Sequence, residues 1–264
     1  MICSQRFEVA GSSEETSRSN LCCEVNPEGT LLAVGSEDGG VTLIDLRNSE
    51  RCQQKFHLEN DVPSLCFSPV HSYSLFIAEE CTISVYDLRT GESGDPVQRY
   101  NFNQEEVNQI VLNRKGTVLA AADDSGDVKI VDIQKHSLQK TLKGSHSNIC
   151  SSVQFRPHHP WEVVTGGLDC SLIRWDFNSS RPKAAWNMGA DAAASGANEA
   201  QVFNPPLVHA VAVGSEHHEF SQQTAAVACG DGTVAIYHLN ASRPTLSEAA
   251  PRTNRIFSGV QLSE

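Results

Sequence analysis

The sequence predicts an all-β fold built from one repeated unit. Short apolar runs end in an acid or a histidine at Asp45, Asp87, Asp132, Asp176 and His238. These closing positions are separated by 42, 45, 44 and 62 residues. A turn rich in acids and glycine precedes each run, and two further apolar runs precede each turn. Short apolar runs joined by such turns are typical of antiparallel strands.

Each unit provides four strands in a fixed order. The first is a longer alternating run (LCCEVNP, VPSLCFSP, VNQIVLN, ICSSVQFRP and VHAVAV), and the second is compact (LLAVGS, SLFIAEE, VLAAADD, EVVTGGL and TAAVACGD). The third strand ends at the closing position. A fourth, outer strand is predicted at residues 54–58 and 98–102. Residues 5–9 resemble both segments and are therefore predicted to form an outer strand ahead of the first unit.

A period of about 42 to 45 residues with four strands per unit is typical of a β-propeller, in which each unit is one blade. We therefore predict one propeller domain with five recognisable four-stranded blades over residues 1–264. The predicted parts are an N-terminal closing strand and linker (1–20), blade 1 (21–60), blade 2 (61–104), blade 3 (105–145), blade 4 (146–186), a flexible insertion (187–202), blade 5 (203–249) and the start of an incomplete blade (250–264).

The closing pair of the fourth unit, Trp175 with Asp176, resembles the dipeptide that ends the third strand in WD-repeat proteins. This resemblance covers residues 20–248, although the other closing pairs are Ile-Asp, Tyr-Asp, Val-Asp and Tyr-His. The segments 123–133, 146–157 and 167–177, with 203–213 as a weaker cue, are similar to the WD repeat-containing protein 53 family. That family has seven blades, which implies that this chain is a truncated seven-bladed ring. A five-bladed ring closed by the N-terminal strand is the alternative.

Four side chains of the fourth unit are predicted to form one structural tetrad. They are His146, Thr165, Asp169 and Trp175. In a WD-repeat blade such residues form a chain of hydrogen bonds, and a satisfied buried network stiffens a core. A catalytic His–Asp pair is the functional alternative, but the sequence provides no nucleophile beside it.

Two Asp-x-Arg boxes close the first two units. Asp45 and Asp87 are each followed two residues later by an arginine, Arg47 and Arg89. The resemblance implies that such boxes dock a receptor on the adaptor of a cullin-4 RING ubiquitin ligase, because the guanidinium pairs in a fixed fork with carboxylates or carbonyls. The alternative is that the box only caps a turn.

Acidic residues are predicted to share one face of the propeller, since they lie in turns between second and third strands or in loops that enter first strands. The turn acids are Glu37, Asp38, Glu79, Glu80, Asp123, Asp124, Asp169 and Asp231, and the loop acids are Glu59, Asp61, Glu105 and Glu106. Arg47, Arg89, Arg114, Lys115 and Arg156 are predicted on the opposite face. The acidic face suits a basic, histone-like peptide; acids that bond only their own turns are the alternative.

The formal net charge of -12 argues against binding of nucleic acid through phosphates. The first residues lack the pattern of a secretory signal, so we expect an intracellular protein in the cytoplasm or nucleus, with reduced cysteines and no membrane contact. Catalytic and phosphate-binding motifs are missing from the sequence. We therefore expect a scaffold that binds proteins, with no enzymatic activity, cofactor or metal. An enzyme that acts in the central channel is a third hypothesis, but it would need converging acids, histidines or a metal on the inner strands, and those strands are nearly all apolar or small. The two scaffold functions are a substrate receptor of a cullin-4 ligase and a general scaffold for basic peptides.

Overall fold

The computed structural model describes residues 19–47, 52–89, 95–190, 205–214 and 223–240. Within these ranges the chain forms nineteen strands in five antiparallel sheets. Each sheet corresponds to one repeat of the sequence, so the predicted all-β propeller with five blades is confirmed. The predicted strand at residues 5–9, and the segments 191–202 and 250–264, lie outside the described residues.

The strands follow one another as meanders, so that sequence neighbours are also neighbours in each sheet. Blade 1 consists of β1 Asn20–Val25, β2 Leu31–Ser36, β3 Gly40–Asp45 and β4 Cys52–His57. Blade 2 consists of β5 Ser64–Phe67, β6 Ser74–Glu79, β7 Thr82–Asp87 and β8 Gln98–Tyr100. Blade 3 consists of β9 Val107–Leu112, β10 Val118–Asp123, β11 Val128–Asp132 and β12 Ser137–Leu142. Blade 4 consists of β13 Cys150–Phe155, β14 Glu162–Gly167, β15 Ser171–Asp176 and β16 Arg181–Asn187. The described part of blade 5 consists of β17 Val208–Val213, β18 Thr224–Cys229 and β19 Val234–His238.

The start of the predicted insertion, residue 187, belongs to the fold. Asn187 ends β16, and the side chain of Met188 is buried against blade 5. The alanine-rich segment therefore begins later than its composition indicates. Met188 belongs to the fold because blade 5 covers its side chain, and burial of that apolar surface is stabilising.

Apolar contacts between successive blades form the core. The four apolar clusters join blade 1 to blade 2, blade 2 to blade 3, blade 3 to blade 4 and blade 4 to blade 5. Side chains alternate along each strand, so neighbouring residues face different blades. In β10, Leu119 and Ala121 pack toward blade 2, whereas Ala120 and Ala122 pack toward blade 4. Burial on both faces explains why the second strands are almost entirely apolar.

The first strands of successive blades are joined by hydrogen bonds from backbone N–H groups to side-chain acceptors. Glu24 Oε2 accepts from Phe67 N at 3.0 Å, and Ser64 Oγ accepts from Ile110 N at 3.0 Å. In the same way, Gln109 Oε1 accepts from Val153 N at 2.7 Å, and Ser152 Oγ accepts from Val211 N at 3.0 Å. Every junction between described blades thus has one side-chain acceptor for a backbone donor of the next blade.

Glu24 is the ionisable member of this set. Burial raises the pKa of its carboxyl group to about 7, and the hydrogen bond from Phe67 N opposes that rise. A carboxyl group with a raised pKa holds its proton in the folded protein at pH values where the unfolded chain has lost it. The contribution of Glu24 to the free energy of unfolding therefore falls as pH rises from about 4.5 to 7 and is constant above that window.

We predict that Glu24→Gln stabilises the protein at pH 8 and removes its part of the pH dependence. The glutamine keeps a carbonyl acceptor for Phe67 N but has no charge to bury. The expected gain at pH 8 is up to about 3 kcal/mol, and it should vanish near pH 4.5. Urea unfolding of both proteins between pH 4.5 and 8 measures it. A difference between the two proteins that did not change with pH would contradict the prediction.

Candidate functional site

The meander topology separates two faces of the propeller. Turns between second and third strands and the loops that enter first strands lie at one face, which is called the acidic face below. Turns after first and third strands lie at the opposite face, which is called the box face because it holds the Asp-x-Arg boxes. The structure places the predicted tetrad inside blade 4, between these two faces.

The tetrad residues form one continuous chain of hydrogen bonds. Trp175 Nε1 donates to Thr165 Oγ1 at 2.9 Å, and Thr165 Oγ1 lies 2.7 Å from His146 Nε2. His146 Nδ1 lies 3.1 Å from Asp169 Oδ1. The carboxylate of Asp169 also accepts from the backbone N–H groups of Ser147 and Ser171. All donors and acceptors in the chain are thus paired, which is the arrangement expected of a structural network.

Burial lowers the pKa of His146, and the nearby carboxylate of Asp169 opposes that shift. The imidazole is therefore neutral at pH 7, with one N–H donor and one acceptor nitrogen. A single proton arrangement satisfies every bond: Nδ1–H donates to Asp169, and Nε2 accepts the hydroxyl proton of Thr165. The hydroxyl oxygen of Thr165 then accepts from Trp175. In this arrangement the histidine side chain is held inside the blade, out of contact with solvent.

Blade 3 contains a second buried polar network, which is centred on Asp123. Asp123 is fully buried, so its predicted place on the acidic face is wrong. It accepts hydrogen bonds from Asn103 Nδ2 at 2.8 Å and from Ser125 Oγ at 2.5 Å, and its Oδ2 lies 3.5 Å from Lys129 Nζ. The carboxylate is buried because it ends β10 and its charge is balanced by the buried lysine of β11. The sequence feature that could have indicated this burial is Lys129 in the third strand, which can pair with Asp123 at the end of the second strand.

The remaining acids of the acidic face differ in what they contact. Asp38 accepts from Ser36 Oγ and Gly40 N, and Asp231 accepts from Thr233 Oγ1 and N, so both bond within their own turns. Asp124 accepts from Asn108 Nδ2, and Glu79 accepts from Asn60 N. Exposed carboxylates remain on the turns and entry loops of blades 1 to 3: Glu37, Glu59, Glu80, Glu105 and Glu106.

Several carboxylates of this face lie close to Glu106, in the loop that enters blade 3. Burial raises the pKa of Glu106, and the neighbouring charges of Asp61, Asp124 and Glu80 raise it further. Carboxylates from two entry loops and two turns therefore influence one another. A cation placed there would relieve that repulsion.

The two Asp-x-Arg boxes have the same geometry at the box face. Arg47 donates from Nε to Asp45 Oδ1 at 2.9 Å and from Nη2 to Asp45 Oδ2 at 2.8 Å. Arg89 pairs with Asp87 through the same atoms at 2.9 and 2.6 Å. The arginine side chains are 66% and 71% exposed. These bonds lower the pKa of Asp45 and of Asp87 to about 2, so both pairs are ionised across the physiological range.

The turn that follows the closing aspartate does not depend on arginine. Asp45 and Asp87 accept from the backbone N–H two residues later. Asp132 accepts in the same way from Gln134 N, and Asp176 accepts from Asn178 N. The aspartate alone therefore caps the turn in four blades. The arginine of blades 1 and 2 adds an exposed guanidinium at the rim.

Arg156, which was predicted at the exposed surface of the box face, has a fully buried side chain. It pairs with Glu162, and its Nη2 donates to Asn240 of blade 5 at 3.0 Å. Lys183 Nζ lies 2.8 Å from the other oxygen of Glu162. Burial raises the pKa of Glu162, but the bonds from Lys183 and Arg156 outweigh it, so the pKa is lowered. Arg156 is therefore part of the junction between blades 4 and 5.

The described cysteines have the environment of structural thiols. Seven cysteines are unpaired, namely Cys22, Cys23, Cys66, Cys81, Cys150, Cys170 and Cys229, and burial raises the pKa of Cys22 to about 12. Within the described ranges, no group of three His, Cys, Asp or Glu side chains is placed to hold a metal ion. Among the same residues no helix is long and apolar enough to cross a membrane.

Comparison with known proteins supports the assignment of the repeats. The family model "WD domain, G-beta repeat" matches residues 16–45 and 136–176. WD repeat-containing protein 53 homolog of Dictyostelium discoideum is 28% identical over 241 residues, which is 86% of this chain and 64% of that protein. The resemblance to WD repeats and to protein 53 that the motifs indicate is thus confirmed. The chain spans less than two thirds of this relative.

More distant matches share the architecture. GATOR2 complex protein WDR24 of Gallus gallus is 25% identical over 158 residues, covering 58% of this chain and 22% of that protein. A chain in the crystal structure of the mitotic checkpoint complex superposes with a TM-score of 0.69 at 17% identity. The superposition covers 87% of this chain and 63% of the other, and it shows the propeller fold.

We predict that Thr165→Val destabilises the protein by about 2–4 kcal/mol, because the change leaves Trp175 Nε1 and His146 Nε2 without a partner in a buried site. Chemical unfolding in urea measures the loss. Thr42→Val is the matched control, since Thr42 is also buried in a strand but its hydroxyl makes no hydrogen bond to another described residue. The control should change stability by less than about 1 kcal/mol. Equal effects of the two changes would show that the tetrad adds no stability.

Proposed function

We propose that this chain is a non-catalytic scaffold for protein interaction that acts as a substrate receptor of a cullin-4 RING ubiquitin ligase. Its box face would dock on the ligase adaptor, and its acidic face would hold the cargo. Protein partners are consistent with the WD-repeat match and with a relative whose name places it in a complex. The assignment to a cullin-4 ligase comes from the similarity to protein 53 and from the two Asp-x-Arg boxes.

The observation that carries this proposal is the repetition of one exposed arginine fork on two adjacent blades. Arg47 and Arg89 have the same donor pattern toward their own aspartates and leave most of each side chain in solvent. Exposed ion pairs of this kind contribute little to stability. Because aspartate alone caps the equivalent turns after β11 and β15, stability gives no reason for the arginines. A partner protein that binds both arginine side chains would explain why they are present.

Arginine is the side chain suited to such docking. Its planar guanidinium carries five N–H donors, of which the aspartate occupies two directions. The other directions face solvent and can pair with a carboxylate or a backbone carbonyl of the adaptor. The aspartate also holds the fork in one orientation, so less side-chain freedom is lost on docking.

A second candidate function is that of a general scaffold for basic peptides. The observation that favours it is the exposed acidic set on blades 1 to 3, in which neighbouring carboxylates raise the pKa of Glu106. This candidate needs no ligase. It places the whole function on the acidic face and none on Arg47 or Arg89.

We predict that the double change Arg47→Ala and Arg89→Ala lowers the recovery of the ligase adaptor with the tagged chain at least tenfold in a pull-down with purified components. The reason is that both guanidinium forks are lost while the capping aspartates remain. Thermal unfolding should be unaffected, because the ion pairs are exposed.

The matched control is Lys115→Ala with Lys135→Ala. Both lysines are exposed on the box face, and Lys135 follows the closing aspartate of blade 3. The control removes the same charge from the same face and should leave adaptor recovery unchanged. Equal recovery with all three proteins would exclude docking through the boxes.

For the second candidate, we predict that binding of a peptide of alternating lysine and glycine weakens at least tenfold between about 0.01 and 0.15 M salt. The screening length falls from about 30 Å to about 8 Å over this range. Isothermal titration at several salt concentrations measures the change, and the Arg47/Arg89 double variant should bind the peptide as the wild type does. An affinity that is independent of salt would exclude electrostatic capture.

A further inference from the structure

A groove between blades 1 and 2 opens beside the acidic face. Its volume is about 340 Å³. The floor is formed by Thr82, Ser84 and Tyr86, which are alternate residues of β7. The walls are formed by the blade 1 loop after β4, by the turn between β6 and β7, and by Arg99 of β8: His57, Leu58, Glu59, Asn60, Glu79, Glu80 and Arg99.

Two local features of blade 2 leave this space open. Strand β8 has three residues, whereas β4 and β12 have six each and β16 has seven, so the outer wall of blade 2 is short. The middle of the floor is Ser84, a small side chain. Ser84 lies three residues before the closing aspartate of its blade.

The position of Ser84 is occupied by Lys129 in blade 3. Strand register establishes the equivalence, because Ser84 pairs with Ile77 as Lys129 pairs with Ala121. In each case the partner lies three residues after the start of the second strand. The same register matches Glu79, which ends β6, with Asp123, which ends β10.

Blade 3 fills the equivalent space with its own ammonium group. Lys129 Nζ lies 3.1 Å from Asp127 Oδ2 and 3.5 Å from Asp123 Oδ2, and the lysine side chain is only 7% exposed. Asn103 Nδ2 donates to Asp123 Oδ2 at 2.8 Å, and in blade 2 the backbone N–H of Asn60 donates to Glu79 Oε1 at 2.9 Å. Blade 2 thus retains a carboxylate that is bonded to an asparagine of the preceding loop but has no lysine at this position.

We propose that the groove between blades 1 and 2 binds the side chain of a lysine from a basic partner peptide. The ammonium group would lie near Glu79, where Lys129 lies near Asp123 in blade 3. This proposal rests on the proposed role in protein binding, and it does not depend on docking to a ligase.

The lining of the groove agrees with a lysine ligand. Glu79 Oε2 makes no hydrogen bond to another described residue, so one carboxylate oxygen is open to a donor. Glu59 and Glu80 add two further carboxylates against the single permanent cation, Arg99. The ring of Tyr86 and the aliphatic part of Leu58 provide apolar surface for the methylene groups of a lysine. A compact ammonium with three donors fits such a site, where it can meet one carboxylate and the hydroxyls of the floor.

The test uses the 264-residue chain and two short peptides. The probes are Ac-Gly-Gly-Lys-Gly-Gly-amide and the same peptide with Nε-acetyllysine, which has no charge. Two-dimensional amide NMR titration should show millimolar binding of the first peptide, with the largest shifts at Thr82, Ser84, Tyr86 and Glu79. The acetylated peptide should cause shifts at least tenfold weaker at equal concentration.

Two variants distinguish binding of the peptide in the groove from a general attraction to the charge of the acidic face. Ser84→Lys places the ammonium of this chain where Lys129 lies in blade 3, so it should abolish binding while the fold is retained. Glu79→Gln keeps the acceptor for Asn60 but lowers affinity at least fivefold. Glu28→Gln, a change of equal charge at the exposed turn after β1 on the box face, is the control and should bind as the wild type does.

Several results would overturn the proposal. One is unchanged peptide binding by Ser84→Lys, and another is a set of shifts spread evenly over the acidic face. Unfolding of Ser84→Lys would show that the space in blade 2 is not equivalent to that in blade 3, and this also contradicts the argument. The ligase proposal would be untouched by each of these, because its test concerns Arg47 and Arg89.

Discussion

The arrangement of the whole molecule depends on how first strands of neighbouring blades meet. The edge of a first strand has no further strand to pair with, so its backbone donors need other acceptors. Here the acceptor is a side chain of the preceding blade: Glu24, Ser64, Gln109 or Ser152. Four junctions use three residue types for one purpose. The bond fixes the register between blades, while the apolar clusters between the sheets provide most of the burial.

Once the blades are in register, the positions of both functional faces follow. Every closing aspartate then lies at the box face, where it caps its own turn, and every second-to-third-strand turn lies at the acidic face. The scaffold needs only the aspartates, as the turns after β11 and β15 demonstrate. The residues next to the closing aspartates can therefore vary to suit a binding partner without loss of the cap. Arg47 and Arg89 on one face and the exposed glutamates on the other are such variations.

The period, the closing residues and the alternation of apolar residues were sufficient to predict the five blades, because these signals are local. Burial of single charges was not predictable in the same way. Asp123 and Arg156 have the sequence context of surface residues, yet Lys129 and Glu162 neutralise them inside the fold. In the sequence, Asp38 and Glu80 lie at the same distance before the closing aspartates Asp45 and Asp87, which suggests that they are equivalent. The β6–β7 turn is one residue shorter than the others, so strand register matches Glu79 with Asp123 instead.

Comparison between blades distinguishes structural networks from open sites. Blade 4 fills its interior with the tetrad around His146, and blade 3 does so with Lys129 and two aspartates. Each of these networks pairs its charges within the chain, which explains their burial. Blade 2 retains the acid of the blade 3 network but has Ser84 in place of the lysine, and a cavity of about 340 Å³ lies above that residue. In the proposed role of this groove, the cation that Lys129 provides within blade 3 comes to Glu79 from a lysine of another molecule.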